Sequence, residues 1–211
     1  MQGDLLLPLM AFAMASSITP GPNNLMLLAS GANYGFRRTI PHMLGIGIGF
    51  VVMMVIVGLG IGQMLQAAPQ VYTGLRLASL LYMGWLAWRI ATSGPVDSGI
   101  SNPHAKPMTF LQAVLFQWVN PKAVAMALAA TATYTDPSRY VASLLVVALV
   151  FGSINLPCVS VWAGFGMALR NWLKDPVKLR LFNVAMAVLL VLSFLPLVAD
   201  LLRGISLWPH A

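Results

Sequence analysis

Long stretches of apolar residues, separated by short polar connections, dominate the pattern along this chain of 211 residues. Each stretch contains the ~20 residues that a helix needs to cross the hydrocarbon core of a bilayer. The pattern therefore predicts an all-α membrane protein with six transmembrane helices. The predicted spans are 4–30, 39–66, 70–92, 109–133, 140–168 and 179–203.

A polar linker rich in Ser, Gly, Pro and Asn divides the six predicted helices into two groups of three. Because three is an odd number, a repeated three-helix half enters the membrane in the opposite sense the second time. At an offset of 101 residues, Pro20 matches Pro121 and Arg38 matches Arg139. We therefore predict two inverted repeats, each with a proline-broken first helix, an arrangement found in transporters. The predicted units are repeat 1–92, cytoplasmic linker 93–108 and repeat 109–211.

The basic residues predict the orientation of these helices. One side of the predicted bundle carries Arg37, Arg38, Arg89, Lys106, Arg170, Lys174, Lys178 and Arg180. The other side carries Arg76, Arg139 and Arg203. Since positively charged loops stay in the cytoplasm, both termini are expected on the outer side of a bacterial-type inner membrane. Residues 1–4 lack the positive charge of a signal peptide, so we expect the first helix to stay in the mature protein.

Composition removes several classes of function. The chain is 59% hydrophobic and 8% charged, whereas soluble domains carry about 25% charged residues. The excess of Lys and Arg lies in short loops beside apolar spans, so we expect a lipid bilayer as partner and no nucleic acid. The single cysteine, Cys158, excludes a disulfide framework. Glutamate is absent, which excludes HExxH metalloproteases, and we expect neither a metal nor a cofactor.

Predicted helix 1 is interrupted near mid-span by the run 19–24, Thr-Pro-Gly-Pro-Asn-Asn. Its prolines remove backbone donors, and Gly21 resists helical order. The carbonyls left free need partners, since hydrocarbon offers none. Thr19, Asn23 and Asn24 can supply them, as can water or a bound solute. A kinked helix repaired by its neighbours is the alternative, but the density of break residues favours a solute site.

Predicted helix 4 is interrupted by Asn120 and Pro121 and carries Lys122 at the break. A lysine near the bilayer centre costs upward of about 2.5 kcal/mol. No carboxylate lies at comparable depth in another predicted span. A solute carboxylate would therefore suit Lys122, helped by the free amides where the helix restarts. Snorkelling of Lys122 to an interface is the alternative.

Predicted helix 5 carries Asn155 beside Pro157, which predicts a third break. Asn155 either bonds a neighbouring helix or contacts the solute. Predicted helix 2 carries a stripe of glycines with small-xxx-small spacing, which indicates close helix packing or a sliding surface and leaves a homo-oligomer open. His42, near its inner end, is expected to be structural. The packing or gating glycines are Gly45, Gly49, Gly58 and Gly62.

Taken together, these motifs resemble the lysine exporter (LysE/RhtB) family of amino-acid efflux proteins. The resemblance covers essentially the whole chain, and its hallmarks are the runs 19–23, 34–38, 81–85 and 120–123, with Gly45 and Gly49. Within the family, the runs 20–24, 85–88 and 181–183 most resemble the branch of cysteine and O-acetylserine exporters.

The resemblance implies export of amino acids or close derivatives, coupled to protons. Many members of the family carry an aspartate near the position of Asn155, and this chain has no Asp or Glu inside its predicted spans. Lys122 is therefore expected either to titrate during transport or to hold the solute carboxylate.

We predict a secondary transporter that works by alternating access, with the two broken helices meeting at the midplane. A structural or lipid-interacting membrane protein is one alternative, and an intramembrane hydrolase pairing Ser16 or Ser17 with Lys122 is another. The residues expected to bind an amino-acid-like solute are Thr19, Pro20, Gly21, Pro22, Asn23, Asn24, Gln117, Asn120, Pro121, Lys122 and Asn155.

Overall fold

The computed structural model describes residues 5–61, 69–93, 106–195 and 198–199, and this part of the chain is helical without a strand. Short helical turns at Val57–Ile61, Pro137–Arg139 and Trp172–Lys174 lie at the ends of longer helices. The α-helices are α1 (Leu6–Ile18), α2 (Pro22–Tyr34), α3 (Phe36–Ile56), α4 (Pro69–Ala91), α5 (Phe110–Val119), α6 (Pro121–Tyr134), α7 (Tyr140–Leu169) and α8 (Pro176–Ser193).

Several of the described helices are long and apolar enough to cross a membrane. By length and composition, three stretches qualify singly: Phe36–Gly60, Pro137–Leu169 and Pro176–Ser193. Helices α5 and α6 qualify as one span bent by 70°, and α1 is apolar but has only 13 residues. The helices support a multi-pass membrane protein. The arrangement of six spans in inverted repeats stays a prediction.

Both predicted breaks at proline motifs are observed. Helix α1 ends in extended backbone at Thr19, and α2 begins at Pro22. At the first position of a helix the backbone N–H has no carbonyl partner within the helix, so a proline costs no hydrogen bond there. Helix α6 likewise begins at Pro121 after the extended residue Asn120, whose side chain accepts a hydrogen bond from the Lys122 amide at 3.2 Å. Each break therefore leaves a new helix N-terminus in the interior of the bundle.

The expected third break, beside Pro157, is wrong. Helix α7 continues from Tyr140 to Leu169 with Pro157 inside it. A single proline removes one backbone donor, and in a membrane helix neighbouring groups can satisfy the freed carbonyl. The other two breaks differ because Gly21 or Asn120 precedes the proline and takes extended backbone.

Helix α7 is the centre of the packing and contacts α1, α2 and α3. Its approach to α2 is the closest, because small residues face each other there. A Cβ added at Gly31 would overlap the backbone of Ala163, and one added at Gly166 would overlap the carbonyl oxygen of Leu28. The polar residues of α2 are thereby fixed relative to those of α7. Helix α4 packs chiefly on α8.

The glycine stripe of the second predicted helix packs inside the chain. Gly45 and Gly49 lie against α5, where a Cβ would meet Ala113 at 2.6 Å and the Cα of Val114 at 2.7 Å. Gly58 lies against the side chain of Leu144. Gly62 lies outside the described residues. At the three described positions the stripe therefore brings helices of one chain together and does not offer a free face.

Candidate functional site

The break between α1 and α2 leaves a row of backbone carbonyls that side chains from the same segment and from α7 satisfy. The Asn24 amide donates to the carbonyl oxygens of Ser17 at 2.8 Å and Thr19 at 2.9 Å. The indole of Trp162 on α7 donates to the carbonyl of Ile18 at 3.1 Å. The Thr19 hydroxyl turns back to the carbonyl of Ala15 in its own helix. The broken backbone is thus held open by side-chain donors, as its place in a membrane bundle requires.

Lys122, at the start of α6, crosses to the other break. Its Nζ donates to the carbonyl oxygen of Thr19 at 2.6 Å and lies 3.4 Å from that of Pro20. Gly21 makes room for the lysine, since a Cβ there would lie 2.7 Å from its Cδ. No carboxylate among the described residues is within ion-pair distance of Lys122. The lysine therefore links the two breaks as a cation held by neutral carbonyls.

The two breaks enclose a small polar cavity, which we call the central cavity. It measures about 20 Å³, room for about one water molecule. The apolar part of its lining is Phe50, Ala123, Met126 and Val159, and the polar part is Ser16, Ser17, Asn23, Asn24, Asn120, Lys122 and Asn155, with Gly21. Five side chains of the predicted solute site, together with Gly21, are thereby brought to one cavity.

The other predicted site residues shape the cavity without lining it. Thr19 and Pro20 present carbonyls to Lys122, and Pro22 and Pro121 begin the two inner helices. Gln117 is fully buried and exchanges hydrogen bonds with Asn23 at 2.9 and 3.4 Å, while its amide also donates to the carbonyl of Ala113 at 2.8 Å. This amide pair joins α2 to α5 beside the cavity.

Asn155, on α7, has one satisfied and one unsatisfied polar atom. Its amide nitrogen donates to the hydroxyl of Ser17 at 3.0 Å, while its side-chain oxygen is buried without a hydrogen-bond partner among the described residues. A buried acceptor without a donor is unfavourable. Asn155 also lines the central cavity, so an unsatisfied acceptor lies beside that cavity.

Comparison with known proteins places this sequence in a family. The model of the LysE type translocator family matches residues 14–199. The chain belongs to the LysE family. The cysteine/O-acetylserine efflux proteins of Escherichia coli strain K12 and of Shigella flexneri are each 30% identical to it over 185 residues, covering 85% of this chain and 90% of the relative. The comparison with solved structures gave no match.

Membership of the LysE family confirms the resemblance drawn from the proline motifs. The family consists of membrane transporters for efflux, so this chain is a transporter and not an enzyme. The matched region includes both breaks, Lys122 and Asn155. Among the described residues, no three His, Cys, Asp or Glu side chains are grouped to hold a metal ion.

The alternative of a serine hydrolase finds no support in the geometry of this LysE-family site. The Ser16 hydroxyl donates to the carbonyl of Phe12 at 2.6 Å, and the Ser17 hydroxyl accepts from Asn155. The amine of Lys122 is directed at the carbonyls of the first break instead. A nucleophile needs a base within hydrogen-bond reach, and neither serine has Lys122 as a partner.

Sequence reasoning missed Trp162, and it named Ser17 only for the alternative of an intramembrane hydrolase. Both residues hold the first break of this LysE-family chain. The indole of Trp162 donates to the carbonyl of Ile18, and the hydroxyl of Ser17 accepts from the amide of Asn155. A signal for Trp162 was present, because it follows Asn155 by seven residues, two helical turns, on the same face of α7. Phe50 and Met126 gave no such signal among many similar apolar residues.

Removing the donor that holds the first break should destabilise this LysE-family protein. In Asn24→Ala, the carbonyls of Ser17 and Thr19 lose a donor, which we expect to cost about 1–3 kcal/mol of unfolding free energy. Thermal unfolding of the purified protein in detergent should show a lower Tm. Ser153→Ala, which removes an exposed hydroxyl bonded within its own helix, is the control. An equal Tm for the two variants would contradict this role.

Proposed function

We propose that this chain exports cysteine, O-acetylserine or a closely related amino acid from the cytoplasm, with the solute bound in the central cavity. The names of its relatives support the class of solute. One observation within the chain carries the proposal: Lys122 spans the two helix breaks as a cation whose partners among the described residues are carbonyls. A zwitterionic amino acid offers complementary charges to that arrangement.

Binding of the solute would proceed as an exchange of partners. The solute carboxylate takes the Nζ of Lys122, because a charged acceptor forms a stronger hydrogen bond than a neutral carbonyl. The carbonyl of Thr19 that Lys122 leaves, and the unsatisfied oxygen of Asn155, then accept from the solute ammonium. No polar group is left unpaired in the exchange. An apolar solute can neither take the Nζ of Lys122 nor donate to the oxygen of Asn155, which selects against it.

The size of the central cavity supports alternating access. About 20 Å³ is too little for an amino acid, so the lining must separate before the solute can enter. The helices that carry the lining fall into two groups. Helix α2 is fixed to α7 by backbone contact, while α6 begins at the second break, where the extended residue Asn120 can act as a hinge. Movement of α6 relative to α2 and α7 would widen the cavity and move Lys122 with it.

The contacts between helices support six spans arranged as two inverted repeats. In this scheme α1 and α2 form one broken span and α5 and α6 the other, with α3 and α4 corresponding to α7 and α8. The contact of α1 with α7 in one repeat pairing then corresponds to the contact of α5 with α3 in the other. The contacts between α3 and α7 and between α4 and α8 each join two equivalent helices. Gly21 and Lys122, which touch, are related by the same offset of 101 residues.

Orientation and energy supply complete the proposal. The distribution of Lys and Arg supports an inner-membrane location with both termini outside and residues 93–108 in the cytoplasm. We propose that a proton gradient drives export. The described helices place no Asp or Glu at the central cavity, so Lys122 is the proposed proton-carrying group.

Transport by the purified protein tests the proposal. Proteoliposomes preloaded with unlabelled solute should accumulate labelled cysteine or O-acetylserine by counterflow, and an opposed pH gradient should increase net transport. Empty liposomes and labelled glucose are the controls for leakage. Absence of counterflow with every amino acid of a panel would overturn the function, and transport unaffected by the pH gradient would overturn the proton coupling alone.

A further inference from the structure

The lining of the central cavity has a polar side and an apolar side. The polar side contains the groups that are proposed to bind the charges of the solute. The apolar side is formed by four buried residues, Phe50 of α3, Ala123 and Met126 of α6, and Val159 of α7. Since the carboxylate and ammonium of an amino acid take the polar side, its side chain is left to face the apolar side.

Three of these four apolar residues have little freedom to move. The ring of Phe50 packs against the ring of Phe151, with the centroids 5.0 Å apart. Val159 is β-branched, which restricts its χ1 angle, and Ala123 has no rotamer to change. Met126 differs, because its unbranched thioether side chain has three rotatable bonds and adapts to irregular spaces. Met126 is therefore the residue of the lining that can yield to a solute side chain.

Met126 lies four residues after Lys122, one helical turn further along α6. Side chains with this spacing lie on the same face of a helix, and both residues line the central cavity. The helix rise separates their Cα atoms by about 6 Å along the axis. Because α6 is continuous from Pro121 to Tyr134, this spacing is kept when the helix moves. A solute whose carboxylate is held by Lys122 thus has a limited distance for its side chain before it meets Met126.

We propose that Met126 limits the size of the solute side chain, so that the transporter accepts the short side chains of cysteine and O-acetylserine and discriminates against larger ones. This inference rests on the proposed function and assigns a specificity-determining residue to the central cavity. A larger side chain must displace packed atoms of the apolar side. One methylene group in an apolar pocket changes specificity by about 10–200-fold, so a limit of this kind is strong enough to select a solute.

Counterflow of amino acids of different size tests this limit. The measurement is kcat/KM in proteoliposomes for labelled cysteine, kept reduced, and for labelled phenylalanine, whose side chain is larger. The wild type should prefer cysteine. Met126→Ala should raise the ratio of phenylalanine to cysteine about tenfold, because the truncated residue leaves room for the larger side chain. Met126→Leu, which conserves volume, should keep the wild-type ratio.

Met53→Ala is the matched control for Met126→Ala. Met53 belongs to the same apolar cluster as Met126 and is fully buried, but it does not line the central cavity. Its truncation removes the same atoms from the core and should leave the ratio of phenylalanine to cysteine unchanged. An equal rise in both alanine variants, or no rise in Met126→Ala, would overturn the size limit, while counterflow of cysteine by the wild type keeps the proposed function. Absence of counterflow by the wild type with every amino acid would overturn both.

Ala123→Val tests the same limit in the opposite direction and does not depend on the folding of Met126→Ala. Ala123 follows Lys122 directly and lies on the apolar side of the cavity. Two added methyl groups should reduce the space for a solute side chain, so kcat/KM for O-acetylserine should fall about tenfold relative to that for cysteine. Rates are normalised to the folded protein recovered. An unchanged ratio of the two solutes would contradict a side-chain site at the apolar residues.

Discussion

Replacing Lys122 with glutamine is expected to lower export roughly a hundredfold, the effect of losing a hydrogen bond to a charged group. Glutamine keeps most of the length of the side chain and can donate to the carbonyl of Thr19, so the helix break is expected to remain closed. It lacks the positive charge that the solute carboxylate needs. The measurement is the initial rate of labelled cysteine or O-acetylserine transport in proteoliposomes, normalised to the folded protein recovered.

Two further variants make the result interpretable. Lys178→Gln removes an exposed lysine that lies over the ring of Trp172, far from the breaks in sequence, and transport should be unchanged. Lys122→Arg separates the two roles proposed for the lysine, since arginine keeps its charge at every physiological pH. If Lys122 only holds the carboxylate, Lys122→Arg should retain both counterflow and pH-driven transport. If Lys122 carries the proton, counterflow should survive and pH-driven transport should be lost.

Full export by Lys122→Gln would contradict both roles of the lysine. The family assignment would still stand, because it rests on the match over residues 14–199 and not on one side chain. The solute would then have to be bound by the neutral groups of the central cavity. Asn24→Ala and Asn155→Ala would become the variants to measure next.

Sequence alone predicted the breaks because their causes are local. Two prolines around Gly21, and Asn120 before Pro121, change the backbone wherever they occur in a helix. The same reasoning failed at Pro157, where α7 continues, because a lone proline leaves the outcome to its neighbours in space. The glycine stripe was predicted to pack, but its partner helix α5 depends on the tertiary fold.

The partners of the broken backbone were beyond sequence reasoning. The free carbonyls of the first break were expected to need donors, but Lys122 and Trp162 reach them from more than a hundred residues away. A cavity of about 60 Å³ beside His42 was missed for a similar reason, because its lining comes from α2, α3 and α4 and the segment that precedes α5. Only the assembled bundle reveals that His42 is buried with no partner among the described residues.

Adding one methyl group where α2 crosses α7 is expected to cost at least about 3 kcal/mol of stability, the upper range for overpacking. In Gly166→Ala the new Cβ would overlap the carbonyl oxygen of Leu28, and in Gly31→Ala it would overlap the backbone of Ala163. Backbone atoms cannot rotate away as a side chain can. Both variants should give little folded protein by size-exclusion chromatography, and any recovered protein should have a lowered Tm.

Gly164→Ala provides a matched control two residues away on the same helix. Its new Cβ would meet only the ring of Phe36, at an ordinary contact distance of 3.9 Å. Alanine also favours a helix over glycine by roughly 0.5–1 kcal/mol, so Tm should be unchanged or slightly raised. A normal yield and Tm for Gly166→Ala would mean that α2 and α7 can separate by the width of a methyl group.

The crossing of α2 and α7 matters to transport because these helices carry several polar groups of the central cavity. Helix α2 brings Asn23 and Asn24, and α7 brings Asn155. If the two helices move as one body, those groups keep their spacing while α6 and Lys122 move. A mild opening of the crossing should then reduce transport, because it would separate the amides of Asn23 and Asn24 from that of Asn155.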